Sequence, residues 1–464
     1  MDYDIVAGVG PNKVLVVGAG KTGIAVARFC HSRGAQVTVT DMRTGAELHG
    51  AMQALGDRVT WELGKHIQRS FLDADLIVVS PGVPEIEPLR VARKKGVRIT
   101  GEIELAASFI QAPLVGVTGT NGKSTVTALA GEMARQTGKP TFVGGNLGTP
   151  LVDAIDTPAG SAKGLVVVEL SSFQLETVEK LHPRAAAFLN LTPDHLDRYA
   201  NVEAYGAAKL KLASNLRSDD VMVVNADDPF FAHAGFQRRS FTRVLTYSGQ
   251  PRHHAAAREA IVDGFVDGSD LVALGERYPI AELNLVGRHN LGNALAAILL
   301  MRGNDLASYD AVRKALHVFR PLPHRMQLVA EARGLRFYDD SKATNVDSVV
   351  AGLDGFPTPF VLIAGGRDKG GSYAPMINAM RDNRCRAAVL IGEAADQIAA
   401  AIAATNAPHI PIVRAASMEE AVTRAVAAAE AGDSVVLSPA CSSYDMFDNY
   451  EHRGRLFRAA VEAL

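Results

Sequence analysis

The sequence predicts an α/β protein of three domains. Short β-branched runs alternate with helical patterns along the chain, which is typical of parallel sheets covered by helices. The 464 residues exceed what one hydrophobic core holds, and a composition of 47% hydrophobic and 21% charged residues is that of a globular protein. We therefore expect three consecutive α/β blocks, over residues 1–101, 102–320 and 321–464.

The first block predicts a Rossmann-like domain. Its strand Val14–Val17 runs into the glycine turn GAGKTG at residues 18–23 and then into a helix, and the next strand ends at Asp41. Taken alone, this turn fits the diphosphate of NAD, with Asp41 on a ribose hydroxyl. Backbone amides at a helix start would hold the diphosphate of UDP equally well, and a tight turn that serves only packing also stays open.

The second block predicts a P-loop-type ATPase domain. Its loop GVTGTNGKST, residues 116–125, lies between a strand and a helix, as a phosphate-binding loop requires. Lys123 is placed to reach the β- and γ-phosphates of ATP, and the Ser124 hydroxyl to bind Mg²⁺. Position 117 holds valine where the strict P-loop pattern has glycine.

Further polar residues of the second block follow predicted strands. Glu169 ends a buried strand and is a candidate Mg²⁺ ligand, with a salt-bridged glutamate as the alternative. His195 follows another predicted strand and lies between Asp194 and Asp197. A histidine flanked by acidic residues at a strand end favours a site residue over a structural histidine. By its helical context alone, Lys209 would be a solvated lysine.

Two segments near the end of this block are also informative. Asn290 and Asn293 share one face of a helix, where their amides either bind an adenine edge or cap the helix. Residues 252–279 are polar and contain glycine, which indicates a small antiparallel addition to the sheet.

The third block predicts a second Rossmann-like domain. It begins around the prolines at positions 321 and 323, and polar clusters follow several of its strands. Because ligands of parallel sheets gather beyond the carboxyl ends of strands, these clusters predict one crevice. The alanine-rich stretches at residues 394–404 and 415–429 indicate surface helices, and Cys441 is expected to be an inert core residue.

Composition excludes several functional classes. The net charge of −2 and the lack of a basic stripe argue against binding to nucleic acid, and no apolar run reaches the ~20 residues of a membrane span. The first 13 residues lack a signal-peptide pattern, and three isolated cysteines fit a reducing compartment. We expect a cytoplasmic protein acting on small molecules.

Seven segments, in their order and spacing, resemble the Mur ligase family over nearly the whole chain. They are GTNGKST, ELSSFQLE, NLTPDHLDRY, GRHNLGNALAA, LPHRMQ, DDSKATN and LSPACSSYDMFDNYEHRG. The resemblance implies a monomeric ATP-dependent ligase of peptidoglycan precursor synthesis. It would join D-glutamate to UDP-N-acetylmuramoyl-L-alanine through an acyl phosphate, releasing ADP and phosphate.

The resemblance also implies roles for individual residues. The catalytic set would be Lys123, Glu169, His195 and Lys209. The ATP site would comprise Gly119, Thr120, Asn121, Gly122, Lys123, Ser124, Thr125, Asn290, Asn293, His324, Arg325 and Asp340. The UDP-substrate site would comprise Lys21, Thr22, Asp41, Arg43, Ser80, Asn146 and His195. Glutamate would be held by Thr344, Lys369, Ser443 and the Tyr450 backbone. Two Mg²⁺ ions are implied, one at Ser124 and Glu169 and one at His195 and a carbamylated Lys209.

Three alternatives differ in the features they explain. An NAD-dependent oxidoreductase accounts for the first glycine turn and Asp41 but not for the GTNGKST loop. A non-catalytic nucleotide-binding regulator does not need Glu169, His195 and the glutamate residues together. A folate polyglutamate ligase of the same superfamily is disfavoured by the nucleotide turn of the first block.

Overall fold

The computed structural model describes residues 13–196, 198–251, 262–285, 287–405 and 410–464. Three sheets follow one another along the chain, each flanked by helices. The predicted α/β class, with Rossmann-like first and third sheets and a phosphate loop on the second, is confirmed. The domain boundaries at residues 101/102 and 320/321 stay a prediction.

The first sheet is parallel and has the strand order β3-β2-β1-β4-β5. Its strands are β1 (Lys13–Val17), β2 (Gln36–Asp41), β3 (Thr60–Leu63), β4 (Leu76–Val79) and β5 (Arg98–Gly101). Its helices are α1 (Lys21–Ser32), α2 (His49–Leu55), α3 (Gln68–Asp73), α4 (Glu87–Lys94) and α5 (Glu102–Ala107). Because the strand order reverses at β1, the glycine turn after β1 lies at the topological switch point, where such sheets bind ligands.

The central sheet has nine strands in the order β14-β13-β12-β11-β10-β9-β6-β8-β7. Its strands are β6 (Leu114–Thr118), β7 (Thr141–Gly145), β8 (Leu165–Glu169), β9 (Ala185–Phe188), β10 (Val221–Asn225), β11 (Arg243–Pro251), β12 (Gly264–Asp267), β13 (Asp270–Ala273) and β14 (Glu276–Pro279). Its helices are α6 (Lys123–Arg135), α7 (Ser172–Leu175), α8 (Val202–Leu210), α9 (Pro229–Arg238), α10 (His289–Arg302) and α11 (Tyr309–Val318).

The central sheet is parallel from β7 to β12, and β12, β13 and β14 pair antiparallel. The predicted antiparallel addition is therefore present over residues 264–279, whereas residues 252–261 lie outside the described residues. Strand β6 lies between β8 and β9, so the phosphate loop after β6 lies beside the ends of both neighbours.

The third sheet has the order β15-β16-β20-β17-β18-β19 and is parallel except for the β15–β16 pair. Its strands are β15 (Gln327–Ala332), β16 (Leu335–Asp339), β17 (Phe360–Gly365), β18 (Cys385–Ile391), β19 (Ile412–Arg414) and β20 (Ser434–Leu437). Its helices are α12 (Val346–Leu353), α13 (Ala374–Asp382), α14 (Ala395–Ala404), α15 (Met418–Ala428) and α16 (Tyr450–Glu462). Helices α14 and α15 lie where the alanine-rich stretches predicted helices.

A shared apolar cluster joins the first sheet to the central sheet, whereas the third sheet packs mainly within its own domain. One buried cluster runs from Val14 and Val26 of the first sheet layer to Val166 and Phe188 of the central sheet. The third sheet has buried clusters of its own on its two faces. Within the described part of the chain, the helices are too short or too polar to span a bilayer.

Candidate active site

The phosphate loop is braced by the segment that follows β9. Asn190 accepts hydrogen bonds from Thr120 N at its carbonyl (2.8 Å) and from Asn121 N at its side chain (2.7 Å), and its amide donates to Asn121 O (3.1 Å). Gly122, the residue before α6, has a φ of 83°, which favours glycine. A Cβ there would lie 2.3 Å from Asn293 Oδ1, so glycine also allows α10 to approach the loop.

Lys123, Ser124 and Glu169 form the charged centre of the loop. Burial lowers the pKa of Lys123, while the nearby Glu169 opposes this shift, and Lys123 Nζ donates to Thr120 O at 2.7 Å. Burial acts to raise the pKa of Glu169, but Lys123 and hydrogen bonds from Asn146 and Ser124 outweigh it, so its pKa is lowered. Glu169 is therefore an ionised carboxylate held beside a cation at the end of β8.

Lys209 is buried rather than solvated. Its side chain is 1% exposed, Nζ donates to Gly119 O at 2.7 Å, and it lies 4.2 Å from the Tyr205 ring centroid. Burial first, and then Lys123, lowers its pKa well below the usual value. The expectation from its helical context alone is thus wrong, because α8 turns this residue toward the phosphate loop.

His195 lies in a tight turn of the segment that follows β9. It has a φ of 55°, its backbone N donates to Asp194 Oδ1 at 2.9 Å, and its ring lies 4.7 Å from that of Phe173. Its other predicted acidic neighbour, Asp197, lies outside the described residues. His195 and Asp194 line a cavity that also contains Lys369 and Asn345 of the third domain.

The donor set around the phosphate loop suits Mg²⁺ rather than a softer metal. Glu169 Oε2 is buried without a hydrogen-bond partner among the described residues, and the Ser124 hydroxyl is nearby. Oxygen ligands, completed by phosphate and water, are those that Mg²⁺ prefers. Among the described residues, there is no group of three or more His, Cys, Asp or Glu side chains that could hold a metal ion without other ligands.

Four of the five residues expected around adenosine, all except His324, line a cleft between the central and third domains. Asn293 Nδ2 donates to Asn290 Oδ1 at 2.9 Å, so the two amides of α10 are paired. Arg325 reaches across the cleft and donates to Ser124 Oγ at 2.6 Å. Burial raises the pKa of Asp340 to about 7, and His324 pairs with the neighbouring Asp339 at 2.6 Å. The cleft is lined by both asparagines, Gly122, Thr125, Arg325 and Asp340.

Three of the four residues expected to hold glutamate lie on loops that follow strands of the third sheet, and the fourth, Tyr450, is the first residue of α16. Lys369 Nζ lies 3.5 Å from Thr344 Oγ1, and Ser443 is buried. The Tyr450 carbonyl accepts a hydrogen bond from Ser341 Oγ at 2.8 Å. Of these four residues, Lys369 lines the cavity that His195 lines from the central domain.

The residues expected to bind the UDP substrate lie at the carboxyl ends of β1, β2 and β4. Asp41 Oδ2 accepts from Ala19 N at 2.7 Å, which ties the glycine turn to β2, and Arg43 pairs with the same carboxylate at 2.7 Å. Burial opposes the shift, but these partners lower the pKa of Asp41 to about 2. Ser80 Oγ donates to Gly18 O at 3.2 Å, and Thr22 lies in the first turn of α1.

Two of the expected substrate residues connect the first domain to the phosphate loop. Lys21 Nζ donates to Gly148 O at 2.5 Å, in the loop after β7. In that same loop, Asn146 Nδ2 donates to Glu169 Oε1 at 2.7 Å. The structure thus brings the expected residues into three adjoining groups, and Asn146 contacts the Glu169 carboxylate.

Two residues of the site were not predicted from the sequence. Lys342 donates to the Tyr450 hydroxyl at 3.2 Å and lines the adenosine cleft, and burial lowers its pKa to about 8. Arg453 is fully buried and donates to Ser341 O (2.7 Å) and Cys441 O (3.1 Å). Lys342 could have been found from its place in the DDSKATN segment, whereas the sequence carries no signal that Arg453 points inward.

Profiles of three known domains match the chain in order. The Mur ligase MurD-like N-terminal domain matches residues 12–101, the Mur ligase middle domain residues 117–301, and the Mur ligase glutamate ligase domain residues 324–441. Two relatives named UDP-N-acetylmuramoylalanine–D-glutamate ligase are similar over nearly the full length. The one from Geobacter sp. (strain M21) is 46% identical and the one from Geotalea daltonii 45% identical, each over 97% of both chains.

Solved structures share the fold at low sequence identity. A pseudomurein peptide ligase type C from Methanothermus fervidus has a TM-score of 0.61 at 19% identity. A UDP-N-acetylmuramate-alanine ligase from Thermotoga maritima has a TM-score of 0.62 at 19% identity. Each comparison covers 97% of this chain and 99% of the other. Three matching domain profiles and full-length relatives at this identity show that the chain belongs to the Mur ligase family.

Proposed function

We propose that this protein is the ATP-dependent ligase that joins D-glutamate to UDP-N-acetylmuramoyl-L-alanine. One observation carries the proposal: hydrogen bonds connect the residues that we propose for the three ligands to the phosphate loop and to its neighbour Glu169. Lys21 of the first domain contacts the loop after β7, Asn146 of that loop contacts Glu169, and Arg325 of the third domain contacts Ser124. A UDP substrate, ATP and an amino acid bound at these sites would meet at one reaction centre.

The names of the relatives supply the substrates that this geometry suits. The curated relatives are named as ligases of UDP-N-acetylmuramoylalanine and D-glutamate. The glycine turn and Asp41 would hold the UDP part, the central loop ATP, and the loops of the third domain glutamate. An NAD-dependent oxidoreductase would leave the phosphate loop and the third-domain cluster without a role.

The reaction divides into two steps. The carboxylate of the UDP substrate attacks the γ-phosphate of ATP, which gives an acyl phosphate and ADP; the glutamate amine then attacks the acyl carbon and phosphate leaves. The first step brings two anions together, and Lys123 with the loop amides offsets their repulsion. Mg²⁺ held by Ser124 and Glu169, and a second ion at His195 and Lys209, would add positive charge against the phosphate oxygens.

The second step needs an unprotonated glutamate amine. His195 lines the cavity that contains Lys369, so it is a candidate to accept the amine proton when a ring nitrogen is not bound to metal. Lys369 and Thr344 would orient the glutamate, because a fixed carboxylate directs the amine toward the acyl phosphate. We place the reaction in the cytoplasm, in a monomer; three buried free cysteines fit a reducing compartment.

Phosphate release measured with defined substrates tests this proposal. The full-length protein with Mg²⁺ and ATP should release phosphate only when both UDP-N-acetylmuramoyl-L-alanine and glutamate are present. A panel of amino acids of both hands should give turnover with D-glutamate and little with L-glutamate. Turnover with a folate in place of the UDP substrate, or tight NADH binding without ligation, would overturn the assignment.

A further inference from the structure

The loop that carries Lys369 has little conformational restraint of its own. It runs from Gly365, the last residue of β17, to Tyr373, the residue before α13, with the sequence GGRDKGGSY. Its four glycines, Gly365, Gly366, Gly370 and Gly371, have φ between 80° and 133°, a region that residues with a side chain rarely adopt. A lysine on such a loop is held in place only if other contacts fix the loop.

Two sets of contacts fix it, one near each end. Near its start, Arg367 N donates to Ser442 O at 2.9 Å and Ser442 N donates to Arg367 O at 3.1 Å. At its end, Tyr373 is 7% exposed, and its hydroxyl donates to Asp368 Oδ1 at 2.6 Å. The same hydroxyl lies 3.3 Å from Cys441 Sγ. Tyr373 therefore anchors the side chain immediately before Lys369 to the interior.

The Tyr373–Asp368 hydrogen bond affects which carboxylate can pair with Lys369. Asp368 adjoins Lys369 in sequence, and a freely rotating carboxylate there would compete with a substrate carboxylate for the ammonium group. Among the described residues, the salt bridge of this loop joins Arg367 to Glu393 at 3.2 Å, whereas Lys369 Nζ contacts Thr344 Oγ1 at 3.5 Å. A hydroxyl hydrogen bond to a carboxylate outweighs an exposed lysine–aspartate pair, so the bond from Tyr373 prevails.

We propose that Tyr373 is a positioning residue for the amino-acid substrate. Its hydroxyl holds Asp368 toward Cys441 and so leaves the Lys369 ammonium free to bind the side-chain carboxylate of an acidic amino acid. The proposal rests on the proposed function, because it assumes that this cavity binds glutamate. Tyr373 and Asp368 line this cavity together with Lys369, and in this account the Tyr373 hydroxyl acts on the substrate through Asp368.

Steady-state kinetics of Tyr373→Phe test the proposal. Loss of the hydroxyl should raise KM for D-glutamate by roughly tenfold, with kcat and the KM values for ATP and the UDP substrate within about twofold. Tyr309→Phe is the matched control, because its hydroxyl donates to Arg277 O at 2.8 Å, remote from the cavity. This control should leave all four constants unchanged.

Removing the competing carboxylate should rescue the variant. In the double variant Asp368→Ala/Tyr373→Phe, KM for D-glutamate should return to within about threefold of the unsubstituted protein, which a loosened loop would not allow. A raised KM that persists in the double variant, an unchanged KM in Tyr373→Phe, or an equal rise for all three substrates would each overturn the proposal. Failure of the proposed function would instead appear in the unsubstituted protein, as a lack of D-glutamate-dependent phosphate release.

Discussion

An unmodified Lys209 ammonium lies in unfavourable surroundings. Burial and Lys123 both disfavour its charge, and the nearby Asp194 and Glu169 only partly offset them. A lowered pKa favours the neutral amine, which is the form that reacts with CO₂. The carbamate so formed is negative and adds two oxygens, the ligand type that Mg²⁺ prefers. We propose this modification as the reason for burying a lysine here.

Substitution of Lys209 tests the carbamate. Lys209→Ala should lose on the order of 10²-fold or more in turnover, as when a transition-state charge contact is removed. Acetate should restore part of the activity, because its carboxylate can occupy the vacated space. Lys211→Ala is the control: this exposed lysine, two residues later, donates to Glu176 O. Full activity of Lys209→Ala would contradict the assignment.

Two buried glutamates at the start of α5 should have opposite effects on stability when each is replaced by glutamine. Glu102 Oε1 accepts from Val152 N at 2.7 Å, Oε2 has no partner among the described residues, and burial raises its pKa to about 7. Glu104 instead accepts from three backbone N–H groups, those of residues 179, 180 and 181. The carboxylate form is therefore poorly solvated at Glu102 and well bound at Glu104.

The pH dependence of stability follows from the raised pKa of Glu102. Between pH 4.5 and about 7 the folded state binds more protons at this site than the unfolded state, so stability falls as the pH rises through this window. Glu102→Gln should remove this loss, on the order of 3 kcal/mol at most. The thermal midpoint of Glu102→Gln minus that of the unsubstituted protein should therefore increase from pH 5 to pH 8.5. Glu104→Gln should lower the midpoint at pH 8.5, and a flat difference for Glu102→Gln would contradict the shift.

At the scale of elements, the glycine turn after β1 performs two separable tasks. A Cβ on Gly23 would lie 1.9 Å from Gly18 O, so glycine there lets α1 pack against the end of β1. A Cβ on Gly20 would meet nothing within 4 Å, and its φ of −78° suits any residue. Gly20 therefore faces open space beyond the strand ends, where we propose that the diphosphate lies.

The two alanine substitutions should separate folding from binding. Gly23→Ala should lower the thermal midpoint, because backbone must shift to admit the methyl group. Gly20→Ala should leave the midpoint unchanged but raise KM for the UDP substrate by roughly tenfold, by placing a methyl group against the diphosphate. Calorimetric titration with the UDP substrate and thermal melting measure both effects. Equal destabilisation by the two variants would show that the turn serves only packing.

The sequence predicted those elements whose pattern lies in consecutive residues. The phosphate loop and the turn at residues 18–23 are consecutive residues between a strand and a helix, so the sequence alone identifies them. The burial of Lys209 depends on a contact with Gly119, 90 residues away, and only the family resemblance indicated it. Tyr373 and Arg453 bond partners 68 and 112 residues distant, and a short-range pattern carries no signal for such contacts.

At the scale of the whole molecule, the three domains are joined in different ways. A shared apolar cluster connects the first sheet to the central sheet, so these two domains should move little relative to each other. The third domain meets the phosphate loop through hydrogen bonds, from Arg325 to Ser124 (2.6 Å) and from Ser348 to Asn121 (2.8 Å). Polar contacts across a cleft are easily exchanged for contacts with a ligand, so closure of the third domain is the expected motion.

These two cross-cleft contacts should contribute differently to nucleotide binding. Arg325 brings a cation to the expected Mg²⁺ ligand Ser124, and ATP phosphates would replace the hydroxyl as its partner. Arg325→Ala should therefore weaken binding of a non-hydrolysable ATP analogue by roughly tenfold or more, and should also lessen the decrease in radius of gyration that the analogue causes in X-ray scattering. Ser348→Ala removes a neutral hydrogen bond at the same cleft and is the matched control, with affinity within about threefold of the unsubstituted protein. Equal effects of the two variants would mean that the cleft closes through general domain contact and that Arg325 has no specific role toward the phosphates.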